Sequence, residues 1–165
     1  MSLKSSKETN KMKFPSLRDE TASNLEISVL NQSDLDLPLS KDAIQKIALH
    51  VLSEENIEDG FVELIYSNPD EMIRLNSEFL KETYLTDNIA FRYEEEGDPM
   101  EATIIQCPFR IQEQATDLGI LFKHEFCRVL IHGLLHICGH EDQTEEQIRR
   151  IRQTEDRYLD ALGIS

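Results

Sequence analysis

His132-Gly133-Leu134-Leu135-His136-Ile137-Cys138-Gly139-His140-Glu141-Asp142 is the stretch on which the reading of this chain turns. It follows an apolar run, Phe126 to Leu130, of helical character. Residues four apart on an α-helix lie one above the other on the same face, so the imidazoles of His132 and His136 can grip one ion between them. Gly139 stands three residues after the second histidine, where a left-handed residue can end the helix and reverse the chain. Beyond that turn, His140, Glu141 and Asp142 are all possible metal ligands. One of them folding back closes a three-ligand site and leaves a position for water, as catalytic zinc requires. A single histidine on an apolar helix is ordinarily a hydrogen-bonded core residue. Two at ligand spacing, then a turn glycine and three further donors, point to a metal centre.

Outward from this stretch, the spacing predicts one long metal-bearing helix over Leu121 to Cys138, preceded by a short helix over Arg110 to Leu118. Thr144-Glu-Glu-Gln147 has capping-box spacing and opens a last amphipathic helix carrying Ile148, Ile151, Tyr158, Leu159 and Leu162, up to Gly163. Toward the N-terminus, Leu25 to Leu30 alternates as a strand does. Ser40 reads as an N-cap before Ala43, Ile44, Ile47, Ala48, Val51 and Leu52, and Phe61 to Tyr66 is a second strand. Asn68-Pro69-Asp70 caps a helix with Met72, Leu75, Phe79 and Leu80 on its apolar side. Asp87 to Tyr93 and Ala102 to Cys107 are the third and fourth strands, joined across the acidic Glu94 to Asp98 loop, with Pro108 ending the fourth. The expected fold is α+β: a small mixed four-stranded sheet with about five helices and a zincin-like metal helix. Residues 1–23 are expected to be a weakly ordered polar tail, and 24–165 a single metal-dependent hydrolase domain.

The chain of 165 residues carries 32 acidic against 17 basic residues, a formal charge of −15. That balance argues against general affinity for nucleic acid or anionic membrane, so a polyanionic substrate would need a local basic patch, a metal or a partner that delivers it. No apolar run reaches the roughly 20 residues that span a bilayer, and no signal-peptide pattern is present. The three cysteines, Cys107, Cys127 and Cys138, have no disulfide-framework spacing and fit a reducing cytoplasm. Cys138 is read as a small buried side chain, although its sulfur could reach a metal. Arg149, Arg150 and Arg152 form the dense basic cluster of the folded part and read as a charged helix face.

A helix with His-Glu-x-x-His is the signature of zinc proteases, in which the Glu is the general base. Here Gly133 takes its place, so that base is missing. The wider spacing, with Gly139 three residues and Asp142 six residues after the second histidine, does match the metzincin pattern. A zincin-like geometry is expected, without ordinary peptide hydrolysis.

With these residues in hand, the chain resembles the YbeY family of bacterial ribosomal-RNA maturation factors. The resemblance rests on His132-Gly-x-Leu-His136-x-x-Gly139 with the acidic residue and ligand after it. Leu75-Asn76, followed after nine residues by Thr86-Asp87-x-Ile89-x-Phe91, and Glu125, seven residues before His132, also match. It runs over roughly residues 25 to 160. It implies an α+β fold, one bound divalent ion, zinc before others, and cleavage of single-stranded RNA. The process implied is maturation of the small-subunit ribosomal RNA 3′ end and ribosome quality control. The implied partners are ribosomal RNA and the small ribosomal subunit, with no membrane and no DNA. Two positions depart from the family. Its third ligand is commonly histidine, where this chain has Asp142, giving a harder site more open to manganese. Many members carry an arginine where this chain has Leu80; if that arginine grips phosphate, Lys81, Arg92 or Arg110 must replace it. Glu141 and His140 are the candidates for moving a proton at the site. Glu125 is read either as the acceptor that orients a ligand imidazole or as half of an ion pair with Arg128 or Arg149. Two other classes stay open: a ribosome-associated assembly protein with a structural metal, and a metal-dependent hydrolase of another substrate.

Overall fold

The structure, a computed structural model, describes residues 24–80 and 86–164. The expected tail over 1–23 and the Lys81 and Leu80 side chains lie outside the described residues. Four strands form one sheet: β1 Asn24–Asn31, β2 Asp59–Tyr66, β3 Asn88–Arg92 and β4 Met100–Gln106, in the order β1-β2-β4-β3. β1 pairs with β2, and β2 with β4, in parallel; β3 closes one edge antiparallel to β4. Five helices are described: α1 Lys41–Glu54, α2 Pro69–Leu80, α3 Pro108–Leu118, α4 Phe122–Ile137 and α5 Glu145–Ala161. The α+β class with a mixed four-stranded sheet is therefore as the sequence predicts.

Local chemistry sets the helix starts. Ser40 accepts from the Ala43 amide at 3.1 Å, and Asn68 from the Glu71 amide at 2.9 Å. Thr144 and Gln147 form the full capping box, each side chain reaching the other's backbone. Each such cap satisfies amides the helix leaves orphaned, worth about 1 kcal/mol. Pro108 opens α3 in the first turn, where its missing amide costs nothing.

Alternation along β2 and β4 separates two apolar layers. Leu64 and Ile104 face the main core, which α1, α4 and α5 complete with Ile44, Val51, Leu130, Ile131 and Tyr158. Ile65 and Ile105 face the other way, against Met72, Leu75 and Phe91. α4 lies at the centre of the main core. Phe126, Leu130, Ile131, Leu134 and Leu135 are fully buried along it, each contributing about 1.5–3 kcal/mol of transfer free energy.

At Gly133, α4 leaves no room for a side chain against the sheet. A Cβ there would stand 2.7 Å from Asn88 Oδ1 and 3.0 Å from Gln106 Nε2 and Ile104 Cγ2. Asn88 and Gln106 are register partners across β3 and β4. The Gln106 amide donates to Asn88 Oδ1 and to the Val129 carbonyl of α4, each at 2.9 Å. This buried amide therefore ties the helix to the sheet beside Gly133. The glycine that a zinc protease would replace with its Glu is a packing residue facing the strands.

Candidate metal centre

α4 places His132 and His136 one turn apart, with their Nε2 atoms 2.9 Å from each other. After Ile137 the helix stops. Gly139 takes a φ of 97°, and the amides of Gly139 and His140 return to the carbonyls of His136 and Leu135, each at 3.0 Å. The reversed chain brings Asp142 back, its Oδ2 3.5 Å from His132 Nε2 and 3.4 Å from His136 Nε2. Among the described residues these three form the one cluster of His, Cys, Asp or Glu able to hold an ion. A tetrahedral ion with bonds of about 2.0–2.1 Å needs ligand atoms about 3.3 Å apart, and the three separations bracket that value. Two imidazoles and a carboxylate are a donor set that zinc accepts, so the residues fit the ion.

The other ring nitrogen of His132 is held by a residue that the sequence reading missed. Glu155 of α5 lies with Oε2 2.6 Å from His132 Nδ1, and its Oε1 accepts from Arg128 at 3.1 Å. Arg128 also donates to Asp156 at 2.7 Å. Glu155 is 2 % exposed, and this pairing is what makes a buried carboxylate tolerable. With Nδ1 donating to Glu155, the lone pair of Nε2 points at Asp142 and His136. The residue expected in this role, Glu125, is not the acceptor, and it forms no ion pair with Arg128 or Arg149 among the described residues. Seven residues along a helix are about 10.5 Å, and side chains lean toward the N-terminus, so Glu125 falls short of the imidazole. The signal for Glu155 was an acid on the apolar stripe of α5, between Ile151 and Tyr158.

Electrostatics separate the two histidines. Burial lowers the pKa of His132, but the Glu155 carboxylate and then Asp142 outweigh it, and the ring stands above the ordinary imidazole value. Burial and the neighbouring His132 hold His136 below it, against the opposing pull of Asp142.

His140 is turned from the cluster, its Nε2 2.5 Å from Glu55 Oε1, while Tyr158 donates to Glu55 Oε2 at 2.7 Å. Glu55, the C-cap of α1, thus fastens the turn after α4 to α5. Burial alone would raise its pKa; the hydrogen bonds from Tyr158 and His140 take it below the usual carboxylate value. Glu141 accepts from Gln147 at 3.1 Å, within the cap of α5. Both proton-transfer candidates are therefore engaged elsewhere. Cys138 is outside the cluster, and burial pushes its thiol up to about 12.

Two of the expected phosphate contacts, Arg92 and Arg110, are engaged within the protein, while Lys81 lies outside the described residues. Arg92 donates to the Ile137 carbonyl at 2.9 Å, capping the end of α4, and pairs with Glu94. Arg110 pairs with Glu113 on its own helix at 2.7 Å. On the Nδ1 side of His132 opens a cleft of about 420 Å³, with Asp87, Glu125, Arg128, Arg152 and Glu155 among its walls.

The family model described as Endoribonuclease YbeY matches residues 26–163. The chain is 34 % identical to the Endoribonuclease YbeY of Chlorobaculum parvum over 138 residues, covering 84 % of this chain and 94 % of that protein. It is 36 % identical to the protein of the same name from Chlorobium phaeovibrioides over 137 residues, covering 83 % and 90 %. Among solved structures, it resembles the solution structure of TM1509 from Thermotoga maritima with a TM-score of 0.57 and 26 % identity, covering 81 % of this chain and 89 % of that one.

Proposed function

Because the chain belongs to the YbeY endoribonuclease family, we propose that it is a metal-dependent, single-strand-specific endoribonuclease that matures the 3′ end of small-subunit ribosomal RNA and serves ribosome quality control. The observation that carries the metal dependence is the three-donor cluster, its Nε2, Nε2 and Oδ2 atoms separated by 2.9, 3.4 and 3.5 Å. Three protein donors are the complement of catalytic zinc sites, whereas structural ones use four. A ribosome-assembly protein with a closed metal site would need a further donor, but His140 is held on Glu55. We assign zinc as the ion, with manganese admitted by the carboxylate.

A divalent ion there supplies Lewis-acid polarisation of a phosphoryl oxygen and acidifies water near neutral pH. The chain's own residues do the rest. His132, His136 and Asp142 bind the ion. Glu155 fixes the tautomer and angle of His132, and Arg128 fixes Glu155. The turn at Gly139, latched by His140 to Glu55, sets the position of Asp142. Gly133 leaves the helix without the glutamate base that peptide hydrolysis needs, so cleavage of RNA rather than peptide is the chemistry that suits the site.

The RNA partner is ribosomal RNA within the small subunit, in the cytoplasm. The test compares cleavage of immature small subunits and of naked single-stranded RNA by wild type and His132→Ala, with zinc, manganese or magnesium. Cleavage by wild type alone, favouring the particle, is the expected result. Equal cutting by the variant, or none on either substrate, overturns the proposal.

A further inference from the structure

Arg92 makes a contact that its exposure does not require. It ends the edge strand β3, and its side chain is 42 % exposed, so water would satisfy its donors. Its Nη1 instead donates to the carbonyl of Ile137, the last residue of α4, at 2.9 Å. We propose that Arg92 is a positioning residue of the metal centre, which fixes the end of α4 and, through it, the places of His136 and Asp142. The proposal rests on the reading of His132, His136 and Asp142 as the ligands of one divalent ion.

A helix leaves its last four carbonyls without partners inside the helix. In α4 these belong to Leu134, Leu135, His136 and Ile137. Amides of the following turn take the first three. Cys138 returns to Leu134 and Leu135, His140 to Leu135, and Gly139 to His136. Ile137 is left to a guanidinium that arrives from a strand 45 residues away. A cation at a helix C-terminus also meets the negative end of the helix dipole.

The guanidinium is itself held. Glu94 accepts from Arg92 Nε, and its other oxygen accepts from the Glu101 amide of β4 at 3.0 Å. The Glu94 side chain is 9 % exposed, unlike that of a loose surface acid. A carboxylate anchored to a strand therefore fixes one edge of the planar fork, and this sets the direction in which Nη1 points.

β3 thus meets α4 at two points, each at the residue after a histidine of the cluster. Asn88 lies against Gly133, where an added Cβ would stand 2.7 Å from its Oδ1. Arg92 grips Ile137, between His136 and the turn that returns Asp142 to 3.4 Å from His136 Nε2. Without Arg92 the Ile137 carbonyl turns to water, the last turn of α4 frays, and the spacing of His136 and Asp142 is no longer set. His132, a turn earlier and held by Glu155, keeps its place.

The experiment titrates cobalt(II), whose visible absorption reports ligand geometry, into the metal-free full chain, and measures zinc affinity by chelator competition. The proteins are wild type, Arg92→Ala, Arg92→Lys, Glu94→Gln and, as a control, Arg74→Ala, which removes pairs with Glu71 and Glu78 on α2. Arg92→Ala should lower zinc affinity by roughly 10-fold, the lower end of the loss when partners of metal ligands are removed, and change the shape of the cobalt absorption. Arg92→Lys, which still brings a cation to the carbonyl, should recover part of both, and Arg74→Ala should alter neither. A residue that only stabilises the fold would lower the urea midpoint of the metal-free protein and leave the cobalt absorption as it was. Circular dichroism checks each fold. If Arg92→Ala does not fold, Glu94→Gln decides, since it loosens the guanidinium without removing it and should move the absorption in the same direction. Wild-type absorption and zinc affinity in the deciding variant overturn the proposal, as does a loss that Arg92→Lys does not relieve at all. Wild type that binds neither metal removes the metal-centre reading itself; a normal wild-type absorption that Arg92→Ala leaves unchanged removes the positioning role alone.

Discussion

At the scale of single residues, two glutamates near His132 have opposite energetics. Glu155 has both oxygens engaged, one by the imidazole and one by Arg128. Glu155→Gln should lower zinc affinity by roughly 10–100-fold, because the ring that it orients is a ligand; a chelator competition that finds no change would remove Glu155 from the centre. Glu125 is enclosed and has an orphan oxygen, and burial, outweighing the nearby Arg128, raises its pKa above the usual carboxylate value. A carboxyl whose folded pKa is raised imposes no penalty below its unfolded pKa of about 4.5, and the penalty grows as pH rises through the folded value. Glu125→Gln should therefore melt at a higher temperature than wild type at pH 7, with the gain vanishing near pH 4. A gain independent of pH, or a loss at pH 7, would contradict this account.

At the scale of elements, α4 and its turn were legible in the sequence because their information is local. Ligand spacing, a turn glycine and a capping box all lie between His132 and Gln147. The partners of that helix were not legible, because contacts between distant segments leave no spacing to read. Glu155 reaches His132 across 23 residues, and His140 reaches Glu55 across 85. Strand positions were readable from alternation, but not the order β1-β2-β4-β3, which long-range pairing decides. The contact of Arg92 with Ile137, 45 residues away, was not legible for the same reason. The fit of α4 on the sheet has a measurable value. Gly133→Ala would gain helix propensity of about 0.8–1 kcal/mol, yet its methyl would enter the space of Asn88 and Gln106. We expect net destabilisation of about 1–3 kcal/mol in urea unfolding, as overpacking costs. A stabilised Gly133→Ala would mean that the strand side chains yield freely.

At the scale of the whole molecule, the charge of −15 governs how RNA is met. Among the described residues, Arg92 and Arg110 are already paired within the protein and so are poorly placed to neutralise phosphate. Binding of naked single-stranded RNA should be weak, with a log–log salt slope no steeper than about −2, the signature of two or three phosphate contacts. A slope several times steeper would reveal a basic surface that the described residues do not present. A ribosomal particle evades this weakness, because a docked partner raises the local concentration of the RNA without needing a basic face.

Gly133 has one more effect, on the neighbouring face of its helix. The close seat against Asn88 and Gln106 restrains how α4 can roll about its own axis, and the imidazoles ride on that same rod. The sheet therefore acts as the index mark of a dial, and the ion reads where the pointer stands. Small changes in strand side chains that never approach the ligands should register first as altered metal affinity, long before the domain as a whole loosens.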